Sequence, residues 1–170
     1  MMKAAVLAIL GTATVLLAGC AYSLGDARPS MMRGIQTLAV PTSQNKTLEP
    51  NVEGMLADTI VKQLQTDGTY SINYERNADA TLYTTLVTVN RRPARSVRGN
   101  VLATSEFELQ TTVEYEVMEN STGKELMKGT VTGLTSFFVT ADLQTDEQQA
   151  LPLAFSDAAV KLASRLGEGF

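Results

Sequence analysis

The chain has 170 residues, with 14 basic and 18 acidic side chains, a net charge of −4, a single cysteine and no histidine. Without histidine there is no Ser-His-Asp or Cys-His catalysis, no usual zinc ligand set and no common general base near neutral pH. The acidic balance argues against binding nucleic acid through a basic surface, and one cysteine cannot close an intrachain disulfide.

The chain opens on Lys3 followed by an uncharged run from Ala4 to Leu17. A positive start, a short apolar stretch and small residues at its end form a secretory signal, too short for a comfortable membrane span. The signal ends in Leu17, Ala18, Gly19 and Cys20, the bacterial lipobox, in which the thiol is acylated and becomes the first mature residue. Each buried acyl methylene contributes roughly 0.8 kcal/mol, and two or more chains give lasting attachment. A triacylated, palmitate-bearing Cys20 would therefore hold the protein on a membrane without a transmembrane helix. Ala21, where Asp would signal retention at the inner membrane, favours the outer membrane.

Residues 1–19 thus read as the signal peptide, 20–34 as an acylated tether and 35–170 as one domain. Ile35 to Val40 is a short apolar strand ended by Pro41, and Thr42 to Pro50 is a polar loop. A helix is expected from about Asn51 to Thr66, with Asn51 as N-cap and Gly68 as its close. Its apolar stripe is Val52, Met55, Leu56, Thr59, Ile60 and Leu64. Tyr70 to Tyr74 and Ala80 to Arg92 are rich in Thr, Tyr, Val and Leu and read as strands.

From Glu106 to Val117 the sequence alternates strictly. Phe107, Leu109, Thr111, Val113, Tyr115 and Val117 interleave with Glu106, Glu108, Gln110, Thr112, Glu114 and Glu116. That period of two predicts a long antiparallel strand with one buried and one wet face. Asn120 to Gly123 supplies turn geometry, and Lys124 to about Ser136 returns as the partner strand. Ser121 to Lys124 spells S-x-x-K, a pattern seen in serine chemistry, yet its place between two strands makes it a hairpin turn. A second helix is expected from about Asp146 to Leu166, with Thr145 and Gln148 as a capping box. Leu151, Phe155, Ala158, Ala159, Leu162 and Leu166 form its apolar stripe. Pro152 either kinks this helix or marks its true first turn, with Glu147 to Leu151 separate. The expected fold is α+β in two layers: two helices on one face of a mostly antiparallel sheet of about four or five strands.

These residues resemble the LPS-assembly lipoprotein family LptE. Cys20, Ala21, Tyr22, Ser23 and Leu24 are similar to its C-G-Y/W-x-L opening, and Ile35 to Pro41 to its first strand. Asn45, Thr47, Glu49, Pro50 and Glu53 resemble its loop and helix start. Ala78, Asp79, Ala80 and Leu82, followed by Arg91, Arg92 and Pro93, resemble its A-D-x-x-L strand with a basic turn. Thr122, Gly123, Lys124, Glu125 and Leu126 match its T-G-K-x-L hairpin.

The resemblance implies a non-enzymatic lipoprotein, without cofactor or metal, that plugs the outer-membrane β-barrel LptD. It also implies help in folding that barrel and in delivering lipopolysaccharide (LPS) to the cell surface. Two departures stand out: Ala21 replaces a common Gly, and no Lys or Arg lies between Lys128 and Lys161, where the family carries basic residues implicated in LPS binding.

Arg91, Arg92, Arg95 and Arg98 concentrate four of the 14 basic residues in what reads as a loop between two strands. Arginine forks suit phosphates, which LPS carries, and Arg98 best matches the family's LPS-contacting loop tip. The same arginines could instead pair with nearby glutamates, touch the barrel wall or remain solvated. Two functions follow: an accessory subunit of the LPS translocon, or a free lipoprotein that carries an amphiphile without a barrel partner. A carrier needs an enclosed apolar pocket, whereas a plug needs a filled core and a polar exterior.

Overall fold

The computed structural model describes residues 28–97, 100–140 and 142–168, of which 96, 97 and 100–105 by backbone alone. The signal sequence, Cys20 and Arg98 lie outside the described residues. In chain order come β1 (Thr37–Ala39), β2 (Gln44–Asn45), α1 (Glu53–Asp67), β3 (Ser71–Ile72), β4 (Ala80–Val97), β5 (Asn100–Glu119), β6 (Glu125–Phe138) and α2 (Leu143–Glu168). Single 3₁₀ turns occupy Ser30–Met32 and Glu75–Asn77.

The alternation of β5 sets the frame. Leu109, Val113 and Val117 are wholly buried with Thr111 and Tyr115, while Glu108, Glu114 and Glu116 face water. β5 pairs antiparallel with β4 on one side and β6 on the other, and the Asn120 to Gly123 turn closes the second hairpin. Gly123 takes a φ of 68°, and its N–H reaches the Glu119 carbonyl. The S-x-x-K segment is therefore a turn.

The sheet is six-stranded and mixed, in the order β3-β1-β4-β5-β6 with β2 also on β4. β1 runs parallel to both β3 and β4, and β2 runs parallel to β4. The parallel part arises because α1 returns the chain to the same end between β1 and β3, as a parallel pair requires. Both helices cover one face. α1 buries Leu56, Ala57, Ile60 and Leu64, and α2 buries a wider stripe including Leu151, Phe155, Leu162 and Leu166. Met55, expected on the α1 stripe, is 37% exposed.

α2 lies close against β6 because small residues meet there. A Cβ on Gly133 would stand 2.0 Å from the Ala154 carbonyl oxygen, and Ala150, Ala154 and Ala158 recur every four residues along the buried helix face. The charged flank of α2 then covers the open edge of β6. Leu134 N–H donates to Asp157, Lys161 donates to the Thr132 carbonyl, and Arg165 donates to the Thr130 carbonyl. An edge so occupied offers no template for another strand.

Several local expectations are corrected. Asn51 is no N-cap: it sits at a φ of 58°, α1 begins at Glu53 after Val52, and Val52 makes no side-chain cap bond. Asn45 organises this corner instead. Its amide accepts from the Thr47 N–H and hydroxyl and donates to the Glu49 carbonyl and the Glu53 carboxylate. Gly68 does close α1, at a φ of 76° with its N–H on the Leu64 carbonyl. The Thr145–Gln148 capping box gives way to Asp142, which accepts from the N–H groups of Gln144 and Thr145. The Thr145 hydroxyl, with those N–H groups, holds the Asp142 carboxyl below its ordinary pKa. α2 begins before Pro152 and runs through it as one helix, so Pro152 is not a first turn. The packed body also starts before residue 35, since Met32 is wholly buried in the region expected to be tether.

Asp79 ties the sheet start together. Its carboxylate accepts from the N–H groups of Gln36 and Thr37 and from the Thr37 hydroxyl, while Asn120 binds the Glu75 and Ala78 carbonyls. The Gln36 and Thr37 N–H groups lower the Asp79 pKa, so this tie adds stability above the ordinary Asp value and loses it as pH falls through the depressed one.

Two outcomes are expected. Gly133→Ala should destabilise by about 3 kcal/mol or more in urea unfolding, because helix backbone must move, whereas Glu114→Gln should change stability by less than about 0.5 kcal/mol. Asp79→Asn should remove part of the acid sensitivity, so that its stability deficit against wild type, clear at pH 7, shrinks as both are titrated below about pH 4.

Candidate functional site

The four arginines do not share one loop. β4 and β5 continue their ladder to Val97↔Asn100, so Arg91, Arg92 and Arg95 belong to a strand, and Arg98 lies outside the described residues. The side of the sheet that Arg91 and Arg92 occupy is set by a register shift between Leu86 and Thr88, and a second shift between Pro93 and Arg95 places Arg95. Leu82 and Leu86 oppose the buried Val117 and Val113; past the shift it is Val89 and Arg91 that oppose the buried Thr111 and Leu109. One extra residue reverses which side chains face the helices.

Arg91 is thereby turned to the helix layer. Its guanidinium pairs with the Glu147 carboxylate in the first turns of α2 and lies 5.3 Å from the centre of the Phe107 ring. A cation over an aromatic face gains about 0.5–1 kcal/mol where partly exposed. Phe107 in turn stacks on Phe137, ring centres 5.9 Å apart, at the base of the β4–β5 ribbon.

Arg92 and Arg95 occupy the opposite face. Arg92 stands across from Glu108, and the Arg95 Nε lies 3.5 Å from Glu106. Further along, Lys46 approaches Glu114 at 3.7 Å, and Lys128 stands across from Glu116. The acidic row of β5 is thus flanked by basic residues from its neighbours. Such exposed pairs contribute about 0–1 kcal/mol each, so an incoming anion can exchange with them at small cost.

Two polar cavities adjoin this region. A cleft of about 430 Å³ is lined by Glu49, Arg91, Asp142, Leu143, Gln144 and Glu147. A trough of about 650 Å³ on the outer sheet face is lined by residues including Lys46, Tyr83, Glu114, Glu116 and Lys128. Neither is the apolar chamber that a carrier requires. Among the described residues, no cluster of carboxylates could hold a metal, and no helix is long and apolar enough to cross a membrane.

Sequence reasoning missed Glu147 and Phe107 as companions of Arg91. Phe107 was visible as an inward residue of β5, but the contact of Arg91 with Glu147, 56 positions on, leaves no local trace in the chain.

A family model described as LptE, Lipopolysaccharide-assembly, matches residues 35–166. No curated protein matches the chain. Among solved structures, the chain is similar to the PelC dodecamer from Paraburkholderia phytofirmans, at 18% identity and a TM-score of 0.53, covering 82% of this chain and 94% of that one. It is also similar to a putative lipoprotein from Caulobacter crescentus, at 19% identity and a TM-score of 0.50, covering 76% and 87%. A minor lipoprotein from Acinetobacter baumannii matches at 15% identity and 0.52, covering 79% and 94%. At these identities the three share a fold with this chain.

Replacing Arg92 and Arg95 together with Ala should change unfolding free energy by less than about 1 kcal/mol, because both side chains are exposed. Chemical denaturation measures this, and a larger loss would assign the pair a structural role.

Proposed function

We propose the function of this protein from one premise: the chain belongs to the LptE family of lipopolysaccharide-assembly proteins. The family model covers residues 35–166, and the role it carries is that of a lipoprotein in LPS assembly rather than an enzyme. On that footing the protein is an outer-membrane lipoprotein, anchored on the periplasmic side through Cys20. It plugs and assists assembly of an LptD-type β-barrel and takes part in delivering LPS to the cell surface.

The family match carries this reading, and the shape agrees with it. One face of the sheet is sealed by two helices over a filled core, and the other presents Thr, Gln, Glu and Lys side chains. A body with a dry interior and a wet, charge-balanced exterior suits the water-lined lumen of a large barrel. The arginines supply the LPS contact: Arg91, Arg92 and Arg95 on the two faces of the ribbon, together with Arg98. The free amphiphile carrier draws no support from the two cavities beside the ribbon, since both are lined by charged groups.

The chain should reach the membrane through lipid alone. Cys20→Ala is expected to leave the protein in the periplasm or deplete it, and the amount of correctly folded barrel should fall with it. Fractionation with a salt wash, followed by heat-modifiability of the barrel on gels, measures both effects. Normal recovery of the variant in the outer membrane would exclude the lipid anchor. Normal barrel assembly in cells lacking the protein altogether would exclude the assembly role.

A further inference from the structure

Arg91 and Glu147 meet where the sheet and helix layers join, one on β4 and the other in the first turns of α2. The Glu147 side chain is 13% exposed and that of Arg91 36%, so the pair is partly withdrawn from water and its attraction exceeds that of an open surface pair. The guanidinium is also steadied by the Phe107 ring beneath it. The pair borders the 430 Å³ cleft, whose other wall carries Glu49. An anion that enters the cleft therefore meets carboxylates around the one arginine it could bind.

We propose that Glu147 is a specificity-determining residue: it occupies Arg91 in the free protein, and only a ligand phosphate stronger than a carboxylate displaces it. This rests on the reading of the arginine ribbon as an LPS contact. The chemistry of the competitors decides which lipid succeeds. Glu147 is tethered beside Arg91 at high effective concentration and carries one charge. A phosphodiester, as in ordinary phospholipids, also carries one charge and gains little by exchange. A phosphate monoester carries about −1.5 to −2 and three strong acceptor oxygens, so it forms the better fork with the guanidinium. Lipids with monoester phosphates are thereby favoured over the phosphodiester lipids that surround them. Arg92 and Arg95 lie on the other face, away from the cleft: Arg92 stands across from Glu108, and Arg95 pairs with Glu106.

The test uses the purified full chain in nonionic detergent micelles, titrated with lipid A, whose phosphates are monoesters, or with phosphatidylglycerol, a diester. Wild type should prefer lipid A. Glu147→Gln, which keeps side-chain size and helix propensity, should bind phosphatidylglycerol roughly threefold to tenfold more tightly and narrow the preference. Phenylglyoxal modification followed by mass spectrometry reads Arg91 directly without lipid. Its rate at Arg91 should rise in Glu147→Gln while the rate at Arg92 stays unchanged. An unchanged lipid preference, or an unchanged Arg91 rate, overturns the proposal. An Arg91 unmasked in a protein that binds neither lipid removes the ribbon reading itself, and this role falls with it.

Discussion

The close seating of α2 on β6 at Gly133 is the contact on which the rest of the molecule depends. Without a side chain there, the helix backbone at Ala154 reaches the sheet, and Phe155 and Leu162 enter the core on either side with no exposure. The same seating brings Asp157, Lys161 and Arg165 against the outer edge of β6, satisfying backbone groups that would otherwise invite another strand. It also fixes where α2 begins. The helices run side by side in one direction: their C-terminal ends meet at Tyr70, whose hydroxyl donates to the Leu166 carbonyl, while Glu49 ahead of α1 shares a cleft with the first turns of α2. Glu147 consequently arrives beside Arg91.

A second constraint acts from the sheet. The register shift after Leu86 is a single extra residue, yet it decides that Arg91 faces the helices and Arg92 faces water. Two arginines adjacent in sequence therefore acquire different chemistry. One is ion-paired, stacked on an aromatic ring and partly enclosed; the other stands among exposed carboxylates on a polar face. A ribbon with such unlike faces can meet a phosphate on one side and a polar protein wall on the other. On the proposed reading, the plug needs both.

Much of the architecture was legible because it is written in short periods. The alternation of β5 named its buried and wet faces residue by residue, the Asn120–Gly123 turn named the hairpin, and Gly68 marked the end of α1. What escaped depends on partners distant in sequence. Asn51 looked like a cap, but Asn45 and Glu53 already organise that corner, and Asn51 is left to make a left-handed turn. Thr145 looked like the first residue of a capping box, but Asp142 lies closer to the helix start. Met32 carried no periodicity and still fills the core. The arginines read as one loop because a bulge and a long strand extension have no compositional signature, although the ladder continues through Pro93. The parallel pairing of β1 with β3 and β4 was equally hidden, since strands this short hold too few residues to reveal direction.

On the proposed reading, a lipid-anchored body works against a larger partner, and a filled core, a charge-balanced sheet face and a ribbon bearing Arg91, Arg92 and Arg95 suit that work. The most direct test is to isolate the tagged, full-length protein from detergent-solubilised outer membranes after mild crosslinking and to identify what accompanies it. The account predicts one integral β-barrel, recovered in near-equal amount and crosslinked through residues introduced on the outer sheet face, such as Thr112 or Thr132. Recovery of the protein as a lone monomer, with bound lipid and no barrel, would contradict it.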